Sequence, residues 1–345
     1  VTTAGTGTVI FAGDIDLDGE GDNLDILVQT ITGTTIVENN LKEDDASVTD
    51  FVVGKAVGVD SAFTLAFDNA SNEDQTLSGV DNIVGVDASD TSIVAFRSSG
   101  ADSDDNTTIL GGVLGGAGAA IIQQVNVGDT DGQTVLVEYN GTAVTVGAIV
   151  LGNGGATADA VTLTIDIATN ADITVAGTIN GSATDTTTLE IDGDDGNTNT
   201  FSGDIGTTAA LTNVLIGSNE DNVDTTTVFN GSLKASAITI GNTNATNNDI
   251  YVVTFTNAAA ETISGVISEA AAADTTTLNI AEAAGDDAAA LLVTVDNTVA
   301  VDNINIGSAT AGGNVKFSDA TTATLVIVDG GDDAAEKGLI EFAAN

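Results

Sequence analysis

A short apolar strand that ends in glycine returns along this chain at near-constant spacing. Ile149-Val150-Leu151-Gly152, Ile238-Thr239-Ile240-Gly241 and Val326-Ile327-Val328-Asp329-Gly330 place glycines at 152, 241 and 330, two equal intervals. A second series, Val125-Asn126-Val127-Gly128, Val214-Leu215-Ile216-Gly217 and Ile304-Asn305-Ile306-Gly307, runs beside it at nearly the same interval. Self-similarity at a fixed period is the mark of a repeat array. Between these straight strands lies a second class with glycine at its centre: Thr174-Val175-Ala176-Gly177-Thr178-Ile179, Thr200-Phe201-Ser202-Gly203-Asp204-Ile205 and Thr262-Ile263-Ser264-Gly265-Val266-Ile267. Central glycine is expected where a strand bends or another backbone comes close.

Glycines of like class also recur at a shorter step, at 128 and 152, at 177 and 203, and at 217 and 241. A unit of two short strands cannot bury its own apolar face and must stack on its neighbours. The expected fold is therefore all-β: a right-handed β-helix, or solenoid, of ~24-residue two-strand units inside an ~89-residue super-repeat. The alternative is a row of tandem immunoglobulin-like β-sandwiches, whose modules are also roughly 100 residues long. Internal recurrence of one two-strand motif favours the solenoid, because a sandwich has dissimilar strands. The pattern extends toward the N-terminus, where Ala62-Phe63-Thr64-Leu65-Ala66-Phe67-Asp68 followed by Thr76-Leu77-Ser78-Gly79 aligns on 160–177 with a slightly larger offset. Two regions of one continuous array are expected, 1–98 and 99–345, with 100–106 the candidate local break.

Charge narrows the function. Six Lys and Arg stand against 51 Asp and Glu, a formal charge of -45. Such a surface repels nucleic acid and anionic lipid and attracts divalent cations. With no Cys and no His, thiol nucleophiles, thiolate or imidazole metal ligands and the usual base of Ser-dependent hydrolysis are excluded. Two Tyr, ten Phe and no Trp leave few aromatic platforms for a sugar-handling cleft. The expected protein is not an enzyme. No apolar run approaches the roughly 20 residues of a membrane helix, so no membrane insertion is expected. Val1 in place of Met is consistent with a removed signal sequence or a truncated chain.

One motif has specific ligand spacing. Asp14, Asp16, Asp18, Gly19, Glu20, Asp22 and Asp25 put acids at positions 1, 3, 5, 7, 9 and 12 and glycine at 6 of an EF-hand-type loop. Ca2+ takes six to eight hard oxygens, and alternate residues of a tight loop supply them. Asp14, Asp16, Asp18, Glu20, Asp22 and Asp25 are the candidate metal ligands, against the plainer reading of an acidic solvated turn. The acidic turns 129–132 and 192–197 lack the full ligand set and read first as turn chemistry. Asp185-Thr186-Thr187-Thr188, Asp224-Thr225-Thr226-Thr227 and Asp274-Thr275-Thr276-Thr277 lead into strands, as Thr favours.

The paired strands, as in Thr200-Phe201-Ser202-Gly203-Asp204-Ile205 followed by Val214-Leu215-Ile216-Gly217, resemble the strand repeats of bacterial surface β-helices. Autotransporter passengers, including the large rickettsial outer-membrane surface antigens, are similar, and so are Thr/Ala/Gly-rich bacterial S-layer proteins. The S-layer resemblance implies calcium-dependent lattice assembly outside the cell. The expected function is thus an extracellular, cell-surface structural protein that self-assembles into a layer or filament with Ca2+. The alternative is an adhesin passenger, with a cell-surface glycan among its candidate partners.

Overall fold

The computed structural model describes residues 2–343 except 6, 14, 18–23, 31–32, 39, 44–48, 55–60, 70–74, 78–81, 88, 99–106, 117–120, 129–133, 142, 167–171, 194–195, 218–222, 243–248, 258–259, 272–273, 283–291, 308–312 and 329–338. The expected break at 100–106 lies outside the described residues. Every regular element described is a β-strand, and every strand pair whose register is resolved is parallel. Among the described residues no helix is long and apolar enough to cross a membrane. The chain divides into two compact units, Val1–Asp166 with Ile173–Thr188, and Ile167–Asp172 with Leu189–Asn345.

In the first unit one ladder advances from Thr2–Gly5 through Leu24–Thr30 and Thr49–Val53 to Asn82–Gly85, Val113–Gly115, Ala143–Leu151 and Ile173–Asn180. The register partners Thr2↔Leu27 and Leu24↔Thr49 set coils close to the expected length, whereas Asp50↔Asn82, Asn82↔Val113 and Val113↔Ala143 set longer ones. Each strand returns beside itself one coil later, which makes the unit a right-handed β-helix as expected. The early coils carry three strands rather than the expected two, for example Val113–Gly115, Ile122–Val127 and Thr134–Tyr139. At the next coil the first two fuse into the nine-residue strand Ala143–Leu151, and the two-strand pattern begins there. In the second unit coil length varies again, from the short step Val299↔Thr321 to the long step Glu261↔Val293.

Within each pair, the glycines of the two series mark one corner on successive coils. Val127 pairs with Leu151, Ile216 with Ile240 and Ile306 with Val328, so each glycine of one series sits one coil from its counterpart. Gly152 and Gly241 adopt φ of +82° and +99°, and each donates its N–H to the preceding coil, to Val127 O and Ile216 O at 2.8 Å. Only glycine takes that backbone cheaply while leaving the ladder unbroken. Gly330 lies outside the described residues.

The kinked class splits in two. Ile173–Asn180 and Glu261–Glu269 run continuously through Gly177 and Gly265. Opposite each glycine the partner strand slips register, between Thr145 and Ala148 and between Lys234 and Ala237. By contrast, Thr198–Phe201 stops before Gly203, leaving Ile205 as an isolated bridge to Leu233, so there the chain turns a corner rather than bending.

Alternation fills the interior. In Thr134–Tyr139, Val135, Val137 and Tyr139 point inward while Thr134, Leu136 and Glu138 are half-buried. Parallel in-register stacking places like on like. Phe67 stacks on Phe96 at 5.4 Å between ring centroids, and Phe201, Phe229 and Phe255 form a continuous stack at 5.3 and 5.2 Å. Tyr139 is buried with its hydroxyl satisfied, 2.6 Å from the carbonyls of Gly112 and Ala143 and accepting from Ala143 N–H at 3.2 Å.

Candidate functional site

Of the predicted calcium loop, Asp14, Asp18, Glu20 and Asp22 lie outside the described residues. Asp16 falls in the strand Ile15–Leu17, in register with Lys42, and Asp25 in Leu24–Thr30, in register with Asp50. Of the acidic turns, 129–132 lies outside the described residues. In 192–197, Asp192 is half-buried and its carbonyl accepts from Asn199 Nδ2 at 3.1 Å. Among the described residues no three acidic side chains converge on one point.

The structure singles out a further set of acids, placed by the glycine corner. Where glycine lacks a Cβ, an aspartate that opens the strand of a neighbouring coil fills the space. A Cβ on Gly54 would lie 2.9 Å from Asp90 Oδ2, on Gly152 2.3 Å from Asp185 Oδ2, and on Gly241 2.9 Å from Asp274 Oδ2. All three carboxylates are buried. Two of these corners carry a second buried aspartate one coil earlier, Asp159 beneath Asp185 and Asp249 beneath Asp274. Thr186 N–H donates to Asp159 O at 2.7 Å and Thr275 N–H to Asp249 O at 2.8 Å, so both stacks are in register. Sequence reasoning saw Asp185-Thr186-Thr187-Thr188 and Asp274-Thr275-Thr276-Thr277 only as strand openings. The signal for more was that Asp185 and Asp274 are separated by the same interval as Gly152 and Gly241.

The two stacks differ in chemistry. Asp185 accepts from Ser182 Oγ at 2.7 Å, from Gly154 N–H at 3.1 Å and from Asp159 N–H at 3.1 Å. Burial pushes its carboxyl up, but these hydrogen bonds together bring it below the usual range. At the later corner Ala271 and Ala273 occupy the repeat positions of Ser182 and Thr184, and the hydroxyls are gone. Neither carboxylate oxygen of Asp274 has a hydrogen-bond partner, although the residue is 3% exposed. Burial first, and then the charge of Asp249, hold the Asp274 carboxyl above the usual range; the nearby backbone amides of Asn242 and Asp249 oppose this only in part, without closing a hydrogen bond. Tyr251, the repeat counterpart of Val161 to within one position, lies against this corner, with its ring edge 3.5 Å from where a Gly241 Cβ would be. It is fully buried and its hydroxyl has no partner. Burial and the charges of Asp249 and Asp274 push the phenol up.

Glu261 is a further buried acid, at the start of Glu261–Glu269. Burial, with a smaller contribution from the charge of Asp204, raises its carboxyl to about 7. Since the unfolded side chain titrates near 4.5, the folded state binds more protons between those values. Stability from this group is therefore fully present below about 4.5 and is lost as pH rises through 7. Glu261→Gln is expected to stabilise the second unit by roughly 1–2 kcal/mol at pH 8, after solvent screening is allowed for, and by nothing at pH 4. Urea midpoints of both proteins at the two pH values check it. A gain that is the same at both would assign the effect to packing.

Beside the Asp274 loop a groove of about 420 Å3 is lined by Ser268, Glu269, Ala270, Ala271, Asp302 and Thr322, among others. Thr276 ties its two acids together, donating from Oγ1 to Glu269 Oε1 at 2.5 Å and from N–H to Asp302 Oδ2 at 3.3 Å. Carboxylates and hydroxyls in an open groove can bind cations or hydroxyl-rich ligands; among the described residues no basic or aromatic side chain lines it. Comparison with protein-family models, curated proteins and solved structures yields no match, so the chain is characterised by its β-helical fold and its acidic corners alone.

Proposed function

We propose that this is a non-enzymatic structural protein of the cell exterior, which assembles with copies of itself into a layer or filament in which Ca2+ offsets the repulsion between highly acidic chains. The observation that carries the reading is the strand Thr321–Val328. Leu325 and Ile327 stand in register with the outward-facing Asn303 and Asn305, where Asn305 Nδ2 donates to Asn279 Oδ1 at 2.9 Å. The outer face thus changes from amide to aliphatic, and Leu325, Val326, Ile327 and Val328 are 46–48% exposed. Among the described residues this strand pairs on one side only, with Val299–Ile306, and apolar side chains on both its faces, without the charges that usually guard an edge, invite a partner. A net charge of -45 makes association of identical chains depend on counter-ions. The second reading, an adhesin passenger, is favoured by the groove at Glu269 and Asp302.

Negative-stain electron microscopy of the purified chain in millimolar Ca2+ is expected to reveal ordered sheets or filaments that dissolve on chelation, and Leu325→Asp with Ile327→Asp is expected to abolish them. Isolated particles in both conditions, with saturable binding to a surface glycan, would instead favour the adhesin.

A further inference from the structure

We propose that the corner built by Gly241, Asn242, Asp249, Tyr251 and Asp274 is a binding site for a divalent cation of the calcium class, held between the carboxylates of Asp249 and Asp274. The sequence-repeat counterpart of this corner, at Gly152, Asp159 and Asp185, is the reference. There Asp159 and Asp185 are stacked in register, and Ser182, Gly154 and Asp159 supply donors to Asp185. That copy is complete without a ligand. One super-repeat later the fold returns, the upper aspartate and the glycine are kept, and the two hydroxyl-bearing residues are alanines.

What remains is a carboxylate 3% exposed with both oxygens unpartnered, above a second carboxylate also 3% exposed. Successive coils of a parallel ladder lie about 4.8 Å apart, so two like charges face each other out of bulk solvent. Asn242 Nδ2 donates to Asp249 Oδ2 at 3.1 Å, which neutralises nothing. A buried charge left uncompensated costs far more than a hydrogen bond returns. Among the described residues no Lys or Arg forms an ion pair with Asp249 or Asp274; Arg97 and Lys316 are paired with Asp68 and Glu341, and the chain has no His.

The donor set selects the cation. Two carboxylates and the Tyr251 hydroxyl are all hard oxygen ligands, with no nitrogen or sulfur for a softer metal. Ca2+ tolerates irregular geometry and completes its shell with water, whereas Mg2+ demands a near-ideal octahedron. Tyr251 also stands where the earlier copy has the aliphatic Val161, bringing a polar atom to the corner whose counterpart hydroxyls are replaced by alanine. A divalent ion between two carboxylates leaves the site neutral. Cation binding here is a property of the single chain and holds whether or not chains assemble.

Tyr251 makes the site directly observable. In dilute, unassembled protein, Tb3+ titrated in as the probe is expected to emit when tyrosine is excited, and Ca2+ is expected to displace it. A protein carrying Asp16→Asn and Asp18→Asn is used throughout, so that the N-terminal acidic loop does not contribute. Tyr251→Phe should abolish the tyrosine-sensitised emission while Tyr139→Phe leaves it. Asp274→Asn should weaken Tb3+ binding about tenfold or more. Ala271→Ser, which restores the hydroxyl of the earlier corner, should also weaken it and keeps the test valid should Asp274→Asn not fold. Emission that survives Tyr251→Phe, or is indifferent to both Asp274→Asn and Ala271→Ser, overturns the proposal. So does a corner that takes up a proton on acidification, read from Tyr251 fluorescence, with no response to Ca2+ or Tb3+ at neutral pH.

Discussion

Gly177→Val is expected to destabilise the first unit by about 3–5 kcal/mol, among the largest effects of any single surface-accessible change in this chain. Two costs add. Gly177 has φ of +115°, which a β-branched residue adopts only under strain. A Cβ there would also lie 2.3 Å from the carbonyl oxygen of Val146 in the preceding coil. That oxygen is backbone and belongs to the register slip between Thr145 and Ala148, so it cannot move without disturbing the ladder. Gly154→Asn in the same unit is the control: its φ is +68°, which Asn tolerates, and the nearest atom to a Cβ is Ser182 Oγ at 3.9 Å. Asn at 154 should cost under about 1 kcal/mol. Urea unfolding followed by far-ultraviolet circular dichroism separates them. Equal shifts for the two variants would mean that the close approach of the coils at Gly177 is not what requires glycine.

Phe229→Ala is expected to cost the second unit about 3–5 kcal/mol, through lost burial and the cavity left behind. Phe229 is 1% exposed and lies between Phe201 and Phe255, so its removal breaks both ring contacts of a three-ring stack at once. Coils above and below are held apart by the ladder spacing, which prevents the gap from collapsing. Phe229→Leu should recover about half of the loss. Phe342 stacks on Phe317 at 5.7 Å but is 63% exposed, and Phe342→Ala should cost under about 1 kcal/mol. The urea midpoint is again the measurement, joined by amide exchange in Thr198–Phe201 and Ile250–Asn257, which should accelerate if the stack couples these strands. A loss for Phe229→Ala no larger than that for Phe342→Ala would show that the stack adds little beyond the backbone ladder.

The candidate site was less legible than the fold, and the reason lies in particular residues. Asp14 to Asp25 stand out because ligand spacing is a one-dimensional pattern, readable without knowing where the chain goes next. Asp274 does not, because nothing near it in the sequence marks a site. Its partners Asp249 and Gly241 are brought to it only by the return of the coil, and its lack of hydroxyls is visible only when Ala271 and Ala273 are set beside Ser182 and Thr184. The groove at Glu269 and Asp302 was missed for the same cause: its walls come from Ser268–Ala271, Ala300–Asp302 and Thr322–Thr324, which are successive coils. A run of alanines after Glu269 carries no chemical signature of its own.

Parallel stacking of like strands was readable from the string, because the long recurrence, the glycine at each strand end and the central glycine of the kinked strands are local consequences of a backbone that must turn or bend between short stacked strands. Net charge was readable for the simpler reason that it is a sum. Coil length, the third strand of the early coils, the fusion of two strands into Ala143–Leu151, and the division of the kinked class into continuous and interrupted strands were not, since each depends on the register a coil adopts against the one before it. Burial of the aspartates follows from that register too. The same residue type is a solvated turn at Asp319 and a buried, partnerless carboxylate at Asp274, because only at the second does a neighbouring coil present a glycine whose missing side chain makes room for it.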